Sequence, residues 1–217
     1  GTPGLVLGRG PQVMRGYYKN PEATAKAVDP YGWFDTGDLG RINPSTGDLI
    51  LTGRAKDTIV LSNGENIEPL PIEDAILSES SLIEQVMLTG QDGRSLVAIA
   101  VLNSNELIAK GFLDESYGTV LQEANEMVND PKCTDEDCAQ SCQLLDSASE
   151  KLRKNPLLKE ELMADVKRAT QEFRSWEKVG QLYLTLEPFA MVNGQLTQSY
   201  KVKRDGVLER YVDKLPK

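Results

Sequence analysis

The chain of 217 residues contains no histidine. This absence excludes imidazole general bases, histidine-ligated metals and nucleophiles activated by histidine. Positive charge is also scarce, because 24 Lys and Arg face 33 Asp and Glu, for a net charge of -9. Since binding to nucleic-acid phosphates depends on a surplus of Lys and Arg, we predict no nucleic-acid partner.

No apolar run approaches the ~20 residues that cross a bilayer, and no signal-like segment opens the chain. We therefore predict no transmembrane segment, while peripheral membrane contact through a parent protein stays open. The chain begins with Gly1 instead of methionine. We expect it to be a fragment of a longer protein, whose compartment these residues do not reveal.

Cysteine is rare, and Cys133, Cys138 and Cys142 lie within ten residues of one another. Three thiols without histidine make an incomplete tetrahedral zinc site. We expect ordinary thiols in a polar surface insertion and no metal site. A redox or metal role is the alternative.

Residues 1–53 are rich in glycine and turn residues, with short apolar runs that predict strands. Gly4–Gly8, Gln12–Met14 and Asp48–Thr52 are the three runs. Asn20 and Pro21 predict the start of a short helix. Fifty such residues cannot close a core of normal size, so we expect a remnant of a small β-barrel-like subdomain that packs against something else.

From Asp57 onward, the pattern predicts a compact α+β domain. Asn63-Gly64 and Asp92-Gly93 each separate two apolar runs and predict hairpins, with a helix over 71–78 between them. A strand is predicted over 181–186. The polar residues 114–150 are interpreted as a helical insertion on the surface.

A long helix is predicted from Asn155, because apolar residues recur at steps of three and four. They are Leu158, Leu162, Val166, Ala169, Phe173 and Trp176. This stripe is interpreted as core. The densest basic patch follows near the C-terminus, at Lys201, Lys203 and Arg204.

Three ordered motifs resemble signatures of the adenylate-forming (AMP-binding) superfamily: Gly16-Tyr17-Tyr18, Gly32-Trp33-Phe34-Asp35-Thr36-Gly37-Asp38 and Gly53-Arg54-Ala55-Lys56-Asp57. Stretches 58–69, 86–92 and 196–204 most resemble long-chain fatty acyl-CoA synthetases and acyl-acyl-carrier-protein synthetases. The resemblance implies an α+β fold in which residues 1–54 end a large AMP-binding domain and 55–217 form a mobile C-terminal lid domain.

The resemblance also assigns site residues. Asp38 would bind the ribose of ATP, since one carboxylate accepts from two vicinal hydroxyls, with Thr36 in the same nucleotide-binding motif. Arg54 would approach the ribose and phosphate. The alternatives are an Asp38 that caps a local turn and an Arg54 in a surface ion pair.

Lys56 matches the position at which the family's lid pivots between two reactions. Gly64 would lie at the mouth of the thiol channel, where a missing side chain lets the pantetheine approach, or it is simply a hairpin glycine.

Luciferase-like members carry the catalytic lysine directly after a glycine, but here Gly194 is followed by Gln195. The run 196–201 resembles that of long-chain members, and this resemblance assigns the catalytic role to Lys201, with Lys203 as the second choice. An ammonium here would bridge the substrate carboxylate and the α-phosphate. A solvated basic tail is the alternative.

The resemblance implies a ligase that converts a fatty acid and ATP to an acyl-adenylate and transfers the acyl group to coenzyme A or to an acyl carrier protein's phosphopantetheine. Mg2+ would bind in the N-terminal domain, and chloroplast or cytoplasm is the implied location. The alternative is a non-catalytic module that docks an acidic carrier protein on the basic patch.

Overall fold

The structure is a computed structural model that describes residues 3–130, 132 and 135–215. The chain divides into two compact units. The first comprises Gly1–Thr58 with Glu68–Pro71, and the second comprises Ile59–Ile67 with Ile72–Lys217. Compactness does not test where a lid would pivot, so the division at residues 54 and 55 stays a prediction.

The first unit contains one antiparallel sheet in the order β1-β2-β3, which does not close into a barrel. Its strands are β1 (Gly4–Gly8), β2 (Phe34–Ile42) and β3 (Leu49–Arg54), and α1 (Pro21–Ala27) lies between β1 and β2 in the chain. The predicted helix start is confirmed, since the Asn20 side chain accepts a hydrogen bond from the Ala23 amide at 3.0 Å.

One expectation for this unit is wrong, and one strand was not predicted. Gln12–Met14 does not form a strand, because the Val13 amide closes a turn onto the Gly10 carbonyl at 3.1 Å. The glycine-rich stretch that contains Asp38 was not predicted as a strand, yet it lies in β2, the central strand. The four polar or charged residues and two glycines of β2 mask the alternation that marks a strand.

The first unit buries very little. Between Pro3 and Thr58, only Gly40 and Gly53 are buried, while large apolar side chains such as Leu5, Leu51 and Tyr31 are exposed. This agrees with a small sheet that lacks a core of its own. The expectation that the sheet packs against a further domain stays a prediction.

The second unit is built on a three-stranded sheet in the order β6-β7-β8. Its strands are β6 (Ile83–Thr89), β7 (Leu96–Leu102) and β8 (Val179–Thr185), and β7 pairs antiparallel with β6 and parallel with β8. A small hairpin precedes this sheet, formed by β4 (Ile59–Val60) and β5 (Asn66–Ile67). Both predicted hairpins are confirmed.

Helices cover both faces of this sheet, in the order α2 (Pro69–Glu79), α3 (Ser104–Ala109), α4 (Tyr117–Asn129), α5 (Asp135–Arg153), α6 (Pro156–Ala169) and α7 (Arg204–Tyr211). On one face, Ala98 and Ala100 join the core with residues of α2 to α6. On the other face, Ile99 and Val101 pack with Val207 and Tyr211 of α7. The α+β fold class is confirmed.

The insertion at 114–150 is helical, but its expected position on the surface is wrong. Leu121 of α4 and Leu145 of α5 are 0% exposed and belong to the main core. Cys142 is buried too, with its Sγ 3.8 Å from Oε1 of Glu187. Cys133 lies outside the described residues. The interspersed charges hid an apolar stripe that the composition alone did not indicate.

The helix that begins after Asn155 is shorter than predicted. Asn155 caps it through hydrogen bonds from the amides of Leu157 and Leu158, at 3.0 and 3.2 Å. The helix ends at Ala169, so Phe173 and Trp176 follow it, although both pack against the core. Among the described residues, no helix has the length and apolar character needed to cross a membrane.

The buried position of the insertion predicts a large effect of truncating its core side chains. Leu121→Ala is expected to lower the free energy of unfolding by ~2–5 kcal/mol, because it leaves a cavity. Val120→Ala is the control, since Val120 is the neighbouring residue of α4 and is 44% exposed. Urea denaturation measures both variants. Equal, small effects would contradict the core role of α4.

The Asn155 cap predicts a smaller effect. Asn155→Ala removes the acceptor for two amides of α6 and is expected to lower the free energy of unfolding by about 1 kcal/mol. Lys154→Ala, at the exposed preceding residue, is the control and should change it little. The same denaturation measurement applies, and an Asn155→Ala protein as stable as this control would argue against the cap.

Candidate functional site

Asp38 and Arg54 lie directly opposite each other on β2 and β3. Nε of Arg54 is 3.1 Å from Oδ1 of Asp38, and the two side chains are 47% and 33% exposed respectively. The surface ion pair named as an alternative is therefore present. An exposed pair of this kind contributes only about 0–1 kcal/mol, so stability explains little of the arrangement. The ion pair places a carboxylate and a guanidinium side by side on two exposed, paired strands.

The backbone before Asp38 is fixed by local hydrogen bonds. The Thr36 hydroxyl donates to the Val6 carbonyl at 2.8 Å and accepts from the Asp38 amide at 3.1 Å. Gly37 has a φ of 70°, which favours glycine, and its amide donates to Asp35 at 2.8 Å. Thr36 thus holds Asp38 in place from β1. A direct contact between Thr36 and a nucleotide stays a prediction.

Lys56 lies in a single turn of 3-10 helix, Ala55–Asp57, directly after β3. Its side chain is exposed. Short irregular segments after a strand absorb changes of φ and ψ more readily than the strand itself. The hinge role of Lys56 stays a prediction.

Gly64 lies at the tip of the β4–β5 hairpin, which belongs to the second unit. Its φ is 84°, a value that favours glycine, and its amide donates to the Leu61 carbonyl at 2.8 Å. No other atom would lie within 4 Å of a Cβ added there. The hairpin role is therefore evident, and the open space is also what an approaching pantetheine would need.

Lys201 lies on a short hairpin of the second unit, which we call the lysine hairpin, residues 196–202. Leu196 and Val202 form an antiparallel bridge at its base. The Thr197 amide donates to the Lys201 carbonyl at 2.8 Å, and Tyr200 adopts a φ of 58° at the tip. Lys201 is exposed. The segment forms a hydrogen-bonded turn that precedes α7, and its lysine is exposed to solvent, so both the catalytic assignment and the solvated basic segment stay predictions.

Arg204 corrects the expectation of an open basic patch. Its side chain is only 18% exposed, and it donates to both carboxylate oxygens of Glu73 at 2.8 Å. Lys201 and Lys203 are thus the exposed members of the predicted patch. An acidic carrier protein would therefore meet two exposed cations at this patch, and not the three that were expected.

Sequence reasoning missed three buried carboxylates, Glu73, Asp165 and Glu187. Of these, Glu73 and Glu187, which are 7% and 2% exposed, bear on the lysine hairpin. Glu187 accepts hydrogen bonds from Gln195 at 3.3 Å and from Arg210 at 3.0 Å. The burial of Glu73 could have been predicted from its spacing, because it lies three residues before Ile76 and borders the apolar stripe of α2. Both carboxylates lie next to segments that lead into or out of the lysine hairpin.

The predicted site residues therefore fall into two groups. Thr36, Asp38 and Arg54 come together on the sheet of the first unit. Gly64 and Lys201 belong to the second unit. Among the described residues, no group of three or more Cys, Asp or Glu side chains is arranged to hold a metal ion.

Comparisons with known proteins agree with the motifs. Residues 56–138 match the family model described as the AMP-binding enzyme C-terminal domain. The chain is 38% identical to "Probable acyl-activating enzyme 16, chloroplastic" of Arabidopsis thaliana, over 99% of this chain and 27% of that protein. It is 35% identical to the "Long-chain-fatty-acid--[acyl-carrier-protein] ligase AEE15, chloroplastic" of the same plant, over 99% of this chain and 25% of that protein.

Among solved structures, the chain resembles the A-PCP didomain of carboxylic acid reductase from Segniliparus rugosus in complex with AMP. The TM-score is 0.69 at 23% identity, over 98% of this chain and 24% of that one. This likeness shows the fold. The chain spans about a quarter of the length of the curated relatives it matches. Residues 56–138 belong to the AMP-binding enzyme C-terminal domain family of the adenylate-forming superfamily, and relatives that match nearly the whole chain at 31–38% identity are named as acyl-activating enzymes or long-chain fatty acid ligases.

Proposed function

We propose that this chain is the C-terminal part of an ATP-dependent long-chain fatty acid ligase. The observation that carries the proposal is the pairing of Asp38 with Arg54 across β2 and β3, within motifs of the family. A carboxylate that is 33% exposed offers acceptors to the two ribose hydroxyls, and the adjacent guanidinium offers donors to phosphate oxygens. The donor and acceptor set therefore fits a nucleotide.

The reaction proposed has two steps. The fatty acid carboxylate attacks the α-phosphate of ATP, which forms an acyl-adenylate and releases pyrophosphate. The thiol of coenzyme A or of a carrier protein then attacks the acyl carbon and releases AMP. Mg2+ and the fatty acid would bind mainly to the large N-terminal domain, and Lys201 would neutralise charge that develops on the phosphate and carboxylate.

The lid assignment extends this proposal. Lys56 would be the pivot between residues 1–54 and 55–217, and Gly64 would approach the pantetheine in the thiol step. Separate lid positions would let one small domain serve two reactions with different partners. Support comes from the exposed 3-10 turn at Lys56 and from the open space around Gly64.

The acceptor and the compartment are finer questions. One relative's name specifies an acyl-carrier-protein ligase, and another relative's name, at 31% identity, specifies a fatty-acid-CoA ligase. The two Arabidopsis relatives are named as chloroplastic. We infer a plastid enzyme that uses a carrier protein. Assays of the full-length enzyme with each acceptor distinguish the two thiols.

Asp38 tests the nucleotide site. Asp38→Ala in the full-length enzyme is expected to weaken ATP binding about tenfold to hundredfold, because charge-assisted hydrogen bonds to the ribose contribute ~1.5–3 kcal/mol. Asp48→Ala, at an exposed aspartate of the same unit, is the control. Calorimetric titration with ATP measures both. Unchanged affinity in Asp38→Ala would contradict the assigned role.

Lys201 and Lys203 form a matched pair for the catalytic assignment. Lys201→Ala is expected to slow pyrophosphate release about 10²–10³-fold at saturating substrates, because a group that stabilises developing charge is lost. Lys203→Ala should release pyrophosphate at nearly the rate of the unsubstituted enzyme. The reverse result would assign the role to Lys203, and two fully active variants would leave the lysine hairpin without a catalytic role.

A further inference from the structure

Arg204 is the first residue of α7, which begins directly after the lysine hairpin. Besides the two Glu73 oxygens, its guanidinium contacts the Leu88 carbonyl of β6 at 3.0 Å. The Leu88 amide in turn donates to Oε1 of Glu73 at 2.7 Å. One buried ion pair thus joins α2, β6 and the start of α7.

The lysine hairpin is connected to this ion pair through a short, hydrogen-bonded backbone. The Lys203 amide donates to the Gln195 carbonyl at 2.8 Å, which extends the bridge between Leu196 and Val202. Only two residues separate Lys201 from Arg204. A shift of the Arg204 backbone would therefore also shift the backbone of Lys201, because the two residues between them are held by hydrogen bonds.

Stability alone does not account for the pair. Burial raises the pKa of the Glu73 carboxyl, and the Arg204 guanidinium opposes this rise. Buried ion pairs are often no more stabilising than apolar residues of similar volume, because both charges lose their hydration. The planar guanidinium of Arg204 donates several hydrogen bonds in fixed directions, so it sets the orientation of the start of α7 as well as its distance from Glu73 and Leu88.

We propose that Glu73 and Arg204 are positioning residues that hold the lysine hairpin in the orientation that Lys201 needs for acyl-adenylate formation. The inference rests on the proposed function, in which Lys201 contacts the reacting groups. Neither Glu73 nor Arg204 contacts substrate in this proposal. They act through the backbone of residues 201–204.

Arg153 supplies a matched control. Like Arg204, it contacts one carboxylate and one strand carbonyl, Asp146 at 3.2 Å and Leu184 at 3.0 Å. Its side chain is 20% exposed, against 18% for Arg204. It lies on α5, and its hydrogen bonds to Asp146 and Leu184 do not reach the lysine hairpin. Arg153→Lys therefore measures the effect of losing a comparable set of guanidinium hydrogen bonds elsewhere in the second unit.

Arg204→Lys in the full-length enzyme keeps the charge but cannot make the same three contacts. We expect the kcat for pyrophosphate release to fall about tenfold to hundredfold, since a misplacement near 1 Å has effects of this size. The KM values for ATP and fatty acid should be unchanged, as should the kcat of Arg153→Lys. Glu73→Gln, which keeps size but removes charge, is a second variant with the same expected loss.

A double-mutant cycle separates positioning from general damage. In a Lys201→Ala background, Arg204→Lys should lower kcat no further, because its effect passes through Lys201. Additive losses, or an equal loss in Arg153→Lys, would overturn the proposal.

Hydrogen exchange supplies a readout that does not depend on activity. The amides of residues 196–203 should exchange faster in Arg204→Lys than in Arg153→Lys, while those of β6 and β7 stay protected. Unchanged exchange at the hairpin overturns the positioning role. If Lys201→Ala retains full kcat, the lysine assignment itself is wrong, and the exchange result alone then decides whether the ion pair orients the hairpin.

Discussion

The parallel pairing of β7 with β8 constrains most of the second unit. Two parallel strands cannot be joined by a tight turn, so the chain must cross from one end of the sheet to the other. Residues 103–178 make this crossover, and helices α3 to α6 lie within it. β7 is the central strand and is buried along nearly all its length, so these helices must cover it. The insertion is core for this reason.

The same sheet explains where the lysine hairpin lies. One face of the sheet is covered by helices of the crossover, and the other is covered by α7 through Val207 and Tyr211. The hairpin is the connection that brings the chain to α7. Its orientation therefore depends on how α7 begins, and Arg204 fixes that beginning against Glu73 and Leu88. In the proposed positioning role, the ion pair of Arg204 with Glu73 thus orients the exposed Lys201.

The first unit follows a different logic. Its residues up to Thr58 bury only two glycines, so hydrophobic burial contributes little to its internal order. Hydrogen bonding between strands brings Asp38 opposite Arg54, and Thr36 and Gly37 set the path of the backbone that leads to Asp38. The backbone of this site is held by hydrogen bonds while its side chains are exposed, an arrangement that suits contacts to a polar ligand.

Local signals in the sequence predicted the turns, the caps and most strands. Asn20 and Asn155 cap helices as expected, because a cap depends on a few neighbouring residues. Asn63-Gly64 and Asp92-Gly93 turn hairpins for the same reason. Predictions failed where distant partners decide the outcome, as for the buried side chains of α4 and α5 and the end of α6 at Ala169. The strand that contains Asp38 was not predicted at all.

The sequence by itself determined the α+β class, the order of the motifs and the candidate residues Thr36, Asp38, Arg54, Lys56, Gly64 and Lys201. These follow from short patterns and from residue chemistry at fixed spacing. Only the tertiary structure decided that Asp38 faces Arg54, that the insertion is buried, and that Arg204 is paired with Glu73. The physical reason is that cross-strand register, burial and ion pairing join residues that are far apart in the chain.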